Sequence, residues 1–158
     1  MAYCPFCSLP PSRIISEDSL TLVIRDGFPV SPGHSLIIPK RHCESFFELT
    51  DEERTSLFRQ LTEAKAGLDV EFRPDGYNIG INDGVATGQT VFHLHVHLIP
   101  RYHGDRVDPR GGVRWVLPDK ASYWNEPDRN IAKYSVFNIK ELLDNLHERA
   151  RHSVKLKR

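Results

Sequence analysis

Val91-Phe92-His93-Leu94-His95-Val96-His97-Leu98-Ile99 alternates with the two-residue period of a β-strand. Phe92, Leu94, Val96 and Leu98 then share one face, while Val91, His93, His95, His97 and Ile99 share the other. The first face suits an apolar core. The second carries three imidazoles at i, i+2 and i+4, about 6–7 Å apart on a rigid element. Pro100 is expected to stop the strand. Three chemistries suit such a row: an exposed polar sheet face, a three-His zinc site, or nucleophilic catalysis by imidazole that is neutral near pH 7. The third is favoured.

Upstream, Leu20 to Arg25 and Ser35 to Pro39 read as short strands separated by the turn residues Asp26-Gly27, Pro29 and Pro32-Gly33. Thr50-Asp51-Glu52-Glu53 has capping-box form, and Leu57, Phe58, Leu61, Ala64 and Leu68 follow at helical spacing. Gly67 and Arg73-Pro74-Asp75-Gly76 are expected to end that helix. Tyr77 to Asn82 alternates like a strand, and Asp83 to Gln89 forms a glycine-containing loop. Downstream, Arg101 to Pro127 reads as an irregular excursion. Asn138 and Glu141 again have capping-box spacing before the apolar positions Ile139, Leu142, Leu143, Leu146 and Ala150. A basic tail with Arg151, Lys155, Lys157 and Arg158 ends the chain.

With 158 residues, the chain is expected to form one domain's worth of core. Basic and acidic residues number 21 each, so no bulk field attracts nucleic acid or an anionic membrane. No run approaches the ~20 apolar residues of a membrane span, and the start lacks a secretory signal. A cytoplasmic protein is expected. The three cysteines, Cys4, Cys7 and Cys43, argue against a secreted disulfide framework. Cys4-Pro5-Phe6-Cys7 has the spacing that lets two thiolates grip one tetrahedral metal, although a redox pair or idle thiols fit the same four residues.

Gly88-Gln89-Thr90-Val91-Phe92-His93-Leu94-His95-Val96-His97-Leu98-Ile99-Pro100-Arg101 resembles the signature of the histidine triad (HIT) family. The resemblance extends upstream through Pro29-Val30-Ser31-Pro32-Gly33-His34, Ile38-Pro39-Lys40-Arg41-His42, the capped helix and Asn82. Gln89-Thr90-Val91 is similar to the fragile-histidine-triad branch, which cleaves diadenosine polyphosphates. Phe92 and the Arg110-Gly111-Gly112-Val113-Arg114-Trp115 stretch look more like bacterial members. The resemblance, which covers roughly residues 1–103, implies an α+β, HIT-like fold with a mostly antiparallel sheet of about five strands and packed helices in residues 1–115; residues 116–158, with their helix and basic tail, are expected as an extension packed on the same domain.

It also implies roles. His95 would attack the α-phosphorus of a nucleotide anhydride or phosphoramidate and form a nucleotidyl-imidazole, with His93 orienting it through a backbone carbonyl. His97 and His34 would contact the α-phosphate. Asn82, Gln89 and Thr90 would complete the phosphate pocket, and Asp26 would bind the ribose hydroxyls. In zinc-bearing members the Cys-x-x-Cys pair is joined by two histidines, which here gives Cys4, Cys7, His42 and His93 around one structural zinc. Family members pair into homodimers. A nucleotide-binding regulatory module with negligible turnover and a three-His zinc hydrolase are the competing functions.

Overall fold

The computed structural model describes residues 4–122, which fall into two compact units dividing after Val113. The first unit holds five strands: β1 (Ile14–Glu17), β2 (Thr21–Arg25), β3 (Ser35–Pro39), β4 (Gly76–Gly80) and β5 (Val96–Arg101). They form one sheet in the order β1-β2-β3-β5-β4, every neighbouring pair antiparallel. One long helix, α1 (Asp51–Glu71), connects β3 to β4. This is an α+β fold with a five-stranded antiparallel sheet, as the family resemblance implies.

Period-two alternation sorts the strands onto two apolar layers. On one face Val23, Ile37, Val96 and Leu98 pack with Leu94, Cys43, Leu49 and the α1 residues Leu57, Leu61 and Leu68. On the other, Leu22, Ile24, Leu36 and Ile38 pack with Phe6, Leu9 and Ile14. Leu36 stands opposite His97 in the β3–β5 register, so the imidazole emerges on this second face.

The start of α1 follows from its capping box. Thr50 Oγ1 accepts from the Glu53 backbone N–H at 3.2 Å, and Glu53 Oε2 accepts from the Thr50 N–H at 2.9 Å. Arg41 grips both oxygens of Glu53, at 2.7 and 2.8 Å, and holds its carboxyl down at about 2. Gly67 does not end the helix, contrary to the sequence reading; α1 continues to Glu71, and the left-handed Arg73 at φ 49° leads the chain out. Burial of Leu68 against the sheet outweighs the cost of one mid-helix glycine.

Four further differences separate the structure from the expectation. β1 carries no expectation from the sequence reading. β4 ends at Gly80, leaving Asn82 beyond the ladder. The histidine strand begins at Val96 rather than Val91, so His93 and His95 lie on the segment that leads into it, and Phe92 is exposed rather than in the core. Nor does Pro100 stop β5. Beyond Leu98 the strand pairs with β4 alone, so a residue without an N–H fits there.

In the second unit, Pro118–Ala121 forms a one-turn helix, α2. The helix expected after Asn138 and the basic tail lie outside the described residues. No helix among those described is long and apolar enough to cross a membrane.

Candidate active site and adjoining metal-ligand cluster

The β2–β3 turn builds one wall. The Asp26 N–H donates to the His34 carbonyl at 3.0 Å, closing the turn. Asp26 Oδ1 accepts from the Phe28 N–H at 2.8 Å, which is a turn residue's bond, and Oδ2 faces two imidazoles, 3.5 Å from His34 Nε2 and 3.9 Å from His97 Nδ1. Gly33 has φ 83°, and a Cβ there would lie 2.8 Å from Leu68 Cδ2 and 3.0 Å from Phe72 Cδ2. Only glycine lets the turn press onto α1 and deliver His34 at the start of β3.

Hydrogen bonds assign the tautomers. The Val30 N–H donates to His34 Nδ1 at 3.3 Å, so the neutral ring carries its proton on Nε2. That N–H donates to His97 Nδ1 at 3.0 Å, which leaves the His97 proton on Nε2. His34 is 3% exposed and its Nε2 is committed to His97. It backs His97 and holds that ring in place. Burial, with the neighbouring His95 and His34 rings, pushes the His97 pKa down to about 4, and burial also lowers that of His34. Both rings are neutral at pH 7.

His95 Nδ1 lies 2.8 Å from the His93 carbonyl, which can only accept, so this proton sits on Nδ1 and Nε2 presents a lone pair. The ring is 8% exposed, with its centroid 5.0 Å from that of His97. A basic nitrogen and a fixed N–H donor therefore stand side by side. Such a pair suits attack on an electrophile whose developing negative charge needs a donor.

The loop after β4 is tied down by its own side chains. Asp83 Oδ2 accepts from Ser45 Oγ and from the Phe46 N–H, each at 2.9 Å. Gln89 is buried; its Oε1 accepts from the Gly84 N–H at 2.7 Å and its Nε2 donates to the Glu44 carbonyl at 2.8 Å. With both ends of that amide engaged, Gln89 fixes the loop. Thr90 is exposed and Asn82 half-buried. Asp83 carried no assignment from the sequence, although its place in an Asn-Asp-Gly turn was a signal.

A second cluster adjoins. Cys4 Sγ is 3.4 Å from His93 Nδ1, and Cys7 Sγ is 3.5 Å from His93 Nδ1 and 3.4 Å from His42 Nδ1. All four ligand atoms lie within 4.8 Å of one another. A tetrahedral zinc ion with ordinary bond lengths holds sulfur and nitrogen about 3.6 Å apart, so the donor set fits. His93 Nε2 donates to the Pro39 carbonyl at 2.9 Å, which frees the Nδ1 lone pair for a metal. Because the His93 ring turns to the thiols, the three triad imidazoles do not converge on one ion. Asp26, His34 and His97 also bring ligand atoms within 4.8 Å, but the proton on His34 Nε2 is engaged with His97 Nδ1, so those two nitrogens form a hydrogen bond beside the Asp26 carboxylate.

Comparison with known proteins agrees with this geometry. The HIT domain model matches residues 9–104. Protein hit of Bacillus subtilis (strain 168) is 40% identical over 103 residues, covering 63% of this chain and 71% of that one. The asymmetrical bis(5'-nucleosyl)-tetraphosphatase of Schizosaccharomyces pombe is 44% identical over 94 residues, 60% of this chain and 52% of that protein. Among solved structures, a zinc-bound histidine triad family protein from Mycobacterium smegmatis superposes with a TM-score of 0.60 at 35% identity, covering 66% of this chain and 79% of that one. With its fold, its paired imidazoles and a family match over most of its length, the chain belongs to the HIT domain family of nucleotide hydrolases and transferases.

Proposed function

We propose that the chain hydrolyses a dinucleoside polyphosphate or a related nucleotide anhydride or phosphoramidate at the α-phosphorus, through a covalent nucleotidyl-His95 intermediate. The observation that carries this reading is the pinned tautomer of His95, whose Nδ1–H is held at 2.8 Å by the His93 carbonyl. In the first displacement His95 Nε2 forms its bond to phosphorus as the bond to the leaving group breaks, P–O in an anhydride and P–N in a phosphoramidate, and the positive charge gained by the ring is stabilised through Nδ1–H. His97 Nε2–H faces the phosphoryl oxygens as charge builds there, and His34 keeps that proton in place. Water then forms the new P–O bond as the P–N bond to His95 breaks, the water's proton passing to solvent, which restores the neutral ring and releases the nucleotide. Asp26 Oδ2, at the mouth of the turn, is the acceptor for the ribose hydroxyls. Asn82 and the backbone at Thr90 supply further phosphate donors. The tetraphosphatase named for Schizosaccharomyces pombe supports the substrate class.

Cys4, Cys7, His42 and His93 would hold one zinc ion. With every ligand position filled by protein, the ion supplies structural cross-linking rather than activated water.

Two displacements at a chiral phosphorus give net retention, whereas direct attack by water gives inversion. Hydrolysis of a phosphorothioate dinucleotide in labelled water is expected to proceed with retention, and His95→Asn to abolish turnover while leaving nucleotide binding intact. Inversion would overturn the covalent role of His95. Unchanged turnover in the Asn variant would do the same.

A further inference from the structure

Phe6 lies between the two cysteines, and its ring meets both the metal-ligand cluster and the proposed nucleophile. Its centroid is 5.8 Å from that of His93 and 5.2 Å from that of His95, with interplanar angles of 75° and 73°. These are edge-to-face contacts, the arrangement aromatic rings favour. Phe6 also packs against the apolar layer of Leu22, Ile24, Leu36 and Ile38. That layer is anchored on two strands of the sheet, so the ring is not free to drift.

His95 is thus fixed by a small set of contacts. Its Nδ1 is held by the His93 carbonyl, one flank meets His97 and another meets Phe6. Two of the three lead to the Cys4-Pro5-Phe6-Cys7 turn. The His93 whose carbonyl holds His95 turns its own Nδ1 to Cys4 and Cys7, and Phe6 is carried between those cysteines. An imidazole held by one hydrogen bond can still rock about its Cα–Cβ and Cβ–Cγ bonds while that hydrogen bond bends. An aromatic edge against its flank removes this freedom and keeps Nε2 aimed.

We propose that Phe6 is a positioning residue for His95, so that the Cys4-to-Cys7 turn sets the aim of the nucleophile as well as cross-linking the fold. This inference rests on the nucleophilic reading of His95. It does not require Phe6 to touch substrate.

The test uses the full chain with its bound metal, comparing wild type with Phe6→Leu and Phe6→Met. Three quantities are read: metal content, steady-state kcat and KM for diadenosine tetraphosphate, and the nitrogen and ring-proton NMR signals of His95, assigned with His95→Asn. In wild type the His95 spectrum is expected to show a protonated Nδ1 and ring protons shifted by the Phe6 ring. In Phe6→Leu the metal is retained, that shift disappears, the Nδ1-protonated tautomer gives way to a mixture, and kcat falls by roughly tenfold or more at unchanged KM. An unchanged tautomer with unchanged kcat overturns the proposal. A rise in KM alone also overturns it, since Phe6 would then be a substrate contact. If Phe6→Leu loses its metal, Phe6→Met, which keeps a long apolar side chain, is judged by the same criteria; if it too loses the metal, Phe6 is a scaffold residue and the proposal fails. Turnover surviving in His95→Asn would instead remove the nucleophilic reading, while the NMR comparison would still report whether Phe6 holds the ring.

Discussion

At the scale of the residue, imidazole protons decide the chemistry. The sequence places His93, His95 and His97 on one face, but alternation alone does not say which nitrogen of each ring carries hydrogen, nor that one ring turns toward a pair of thiols. Those properties come from partners distant in the chain: the accepting Pro39 carbonyl for His93, and for His97 the donating Nε2–H of His34, itself set by the Val30 N–H. Only the short-range partner of His95, the carbonyl two residues before it, follows from the motif. The buried, neutral His97 has a consequence for stability. Its pKa falls from 6.5 to about 4 on folding, so the unfolded chain binds the proton more tightly and stability is lost as pH drops from about 6.5 toward 4. The loss attributable to this ring is up to about 3 kcal/mol. Denaturant midpoints measured between pH 7 and pH 4.5 should fall steadily in wild type and less steeply in His97→Asn. Equal slopes would show that His97 is not the group being titrated.

At the scale of the element, the legible parts are those governed by neighbours in sequence. The Thr50–Glu53 capping box and the β3 boundaries are as the residues imply, because capping and turn chemistry act over a few positions. The strand of the triad is not. Its first residues are drawn out of the ladder when the His93 ring reaches the thiols and the Leu94 N–H donates to the Cys43 carbonyl at 2.7 Å, a contact across the chain that periodicity does not encode. Gly33 shows the same dependence on long-range packing. The Pro32-Gly33 pair announces a turn, but the need for glycine comes from the end of α1, where Leu68 and the capping residue Phe72 leave no room for a Cβ. Gly33→Ala combines a left-handed backbone with a clash against packed side chains, and is expected to cost about 2–4 kcal/mol. It should also displace His34 from His97 and depress turnover in the folded fraction. Urea unfolding would measure the first effect, and a change below about 1 kcal/mol would mean that the α1 side chains give way.

At the scale of the whole molecule, two features of the first unit remain open to a partner or an ion. β4 is an end strand of the sheet, and Ile79 on it is 47% exposed. Together with the family resemblance, this edge supports the proposal of a homodimer. Sedimentation should give twice the chain mass, and a monomer at micromolar concentration would refute it. The proposed zinc acts in the opposite direction, within one chain. Cys4 and His93 are 89 positions apart, so an ion held by both closes a long loop. Closing such a loop covalently restricts the unfolded ensemble by about 4–5 kcal/mol, and a metal cross-link acts in the same sense while it stays bound. The protein purified without chelators should therefore carry one zinc per chain. Chelation should lower Tm, and readdition of zinc should restore it. Cys4→Ser removes one of the four ligands while changing little volume, so it should reproduce the chelated Tm and become insensitive to further chelator. Metal analysis finding no zinc, or a Tm unmoved by chelator in wild type, would break the assignment of Cys4, Cys7, His42 and His93 as a structural site.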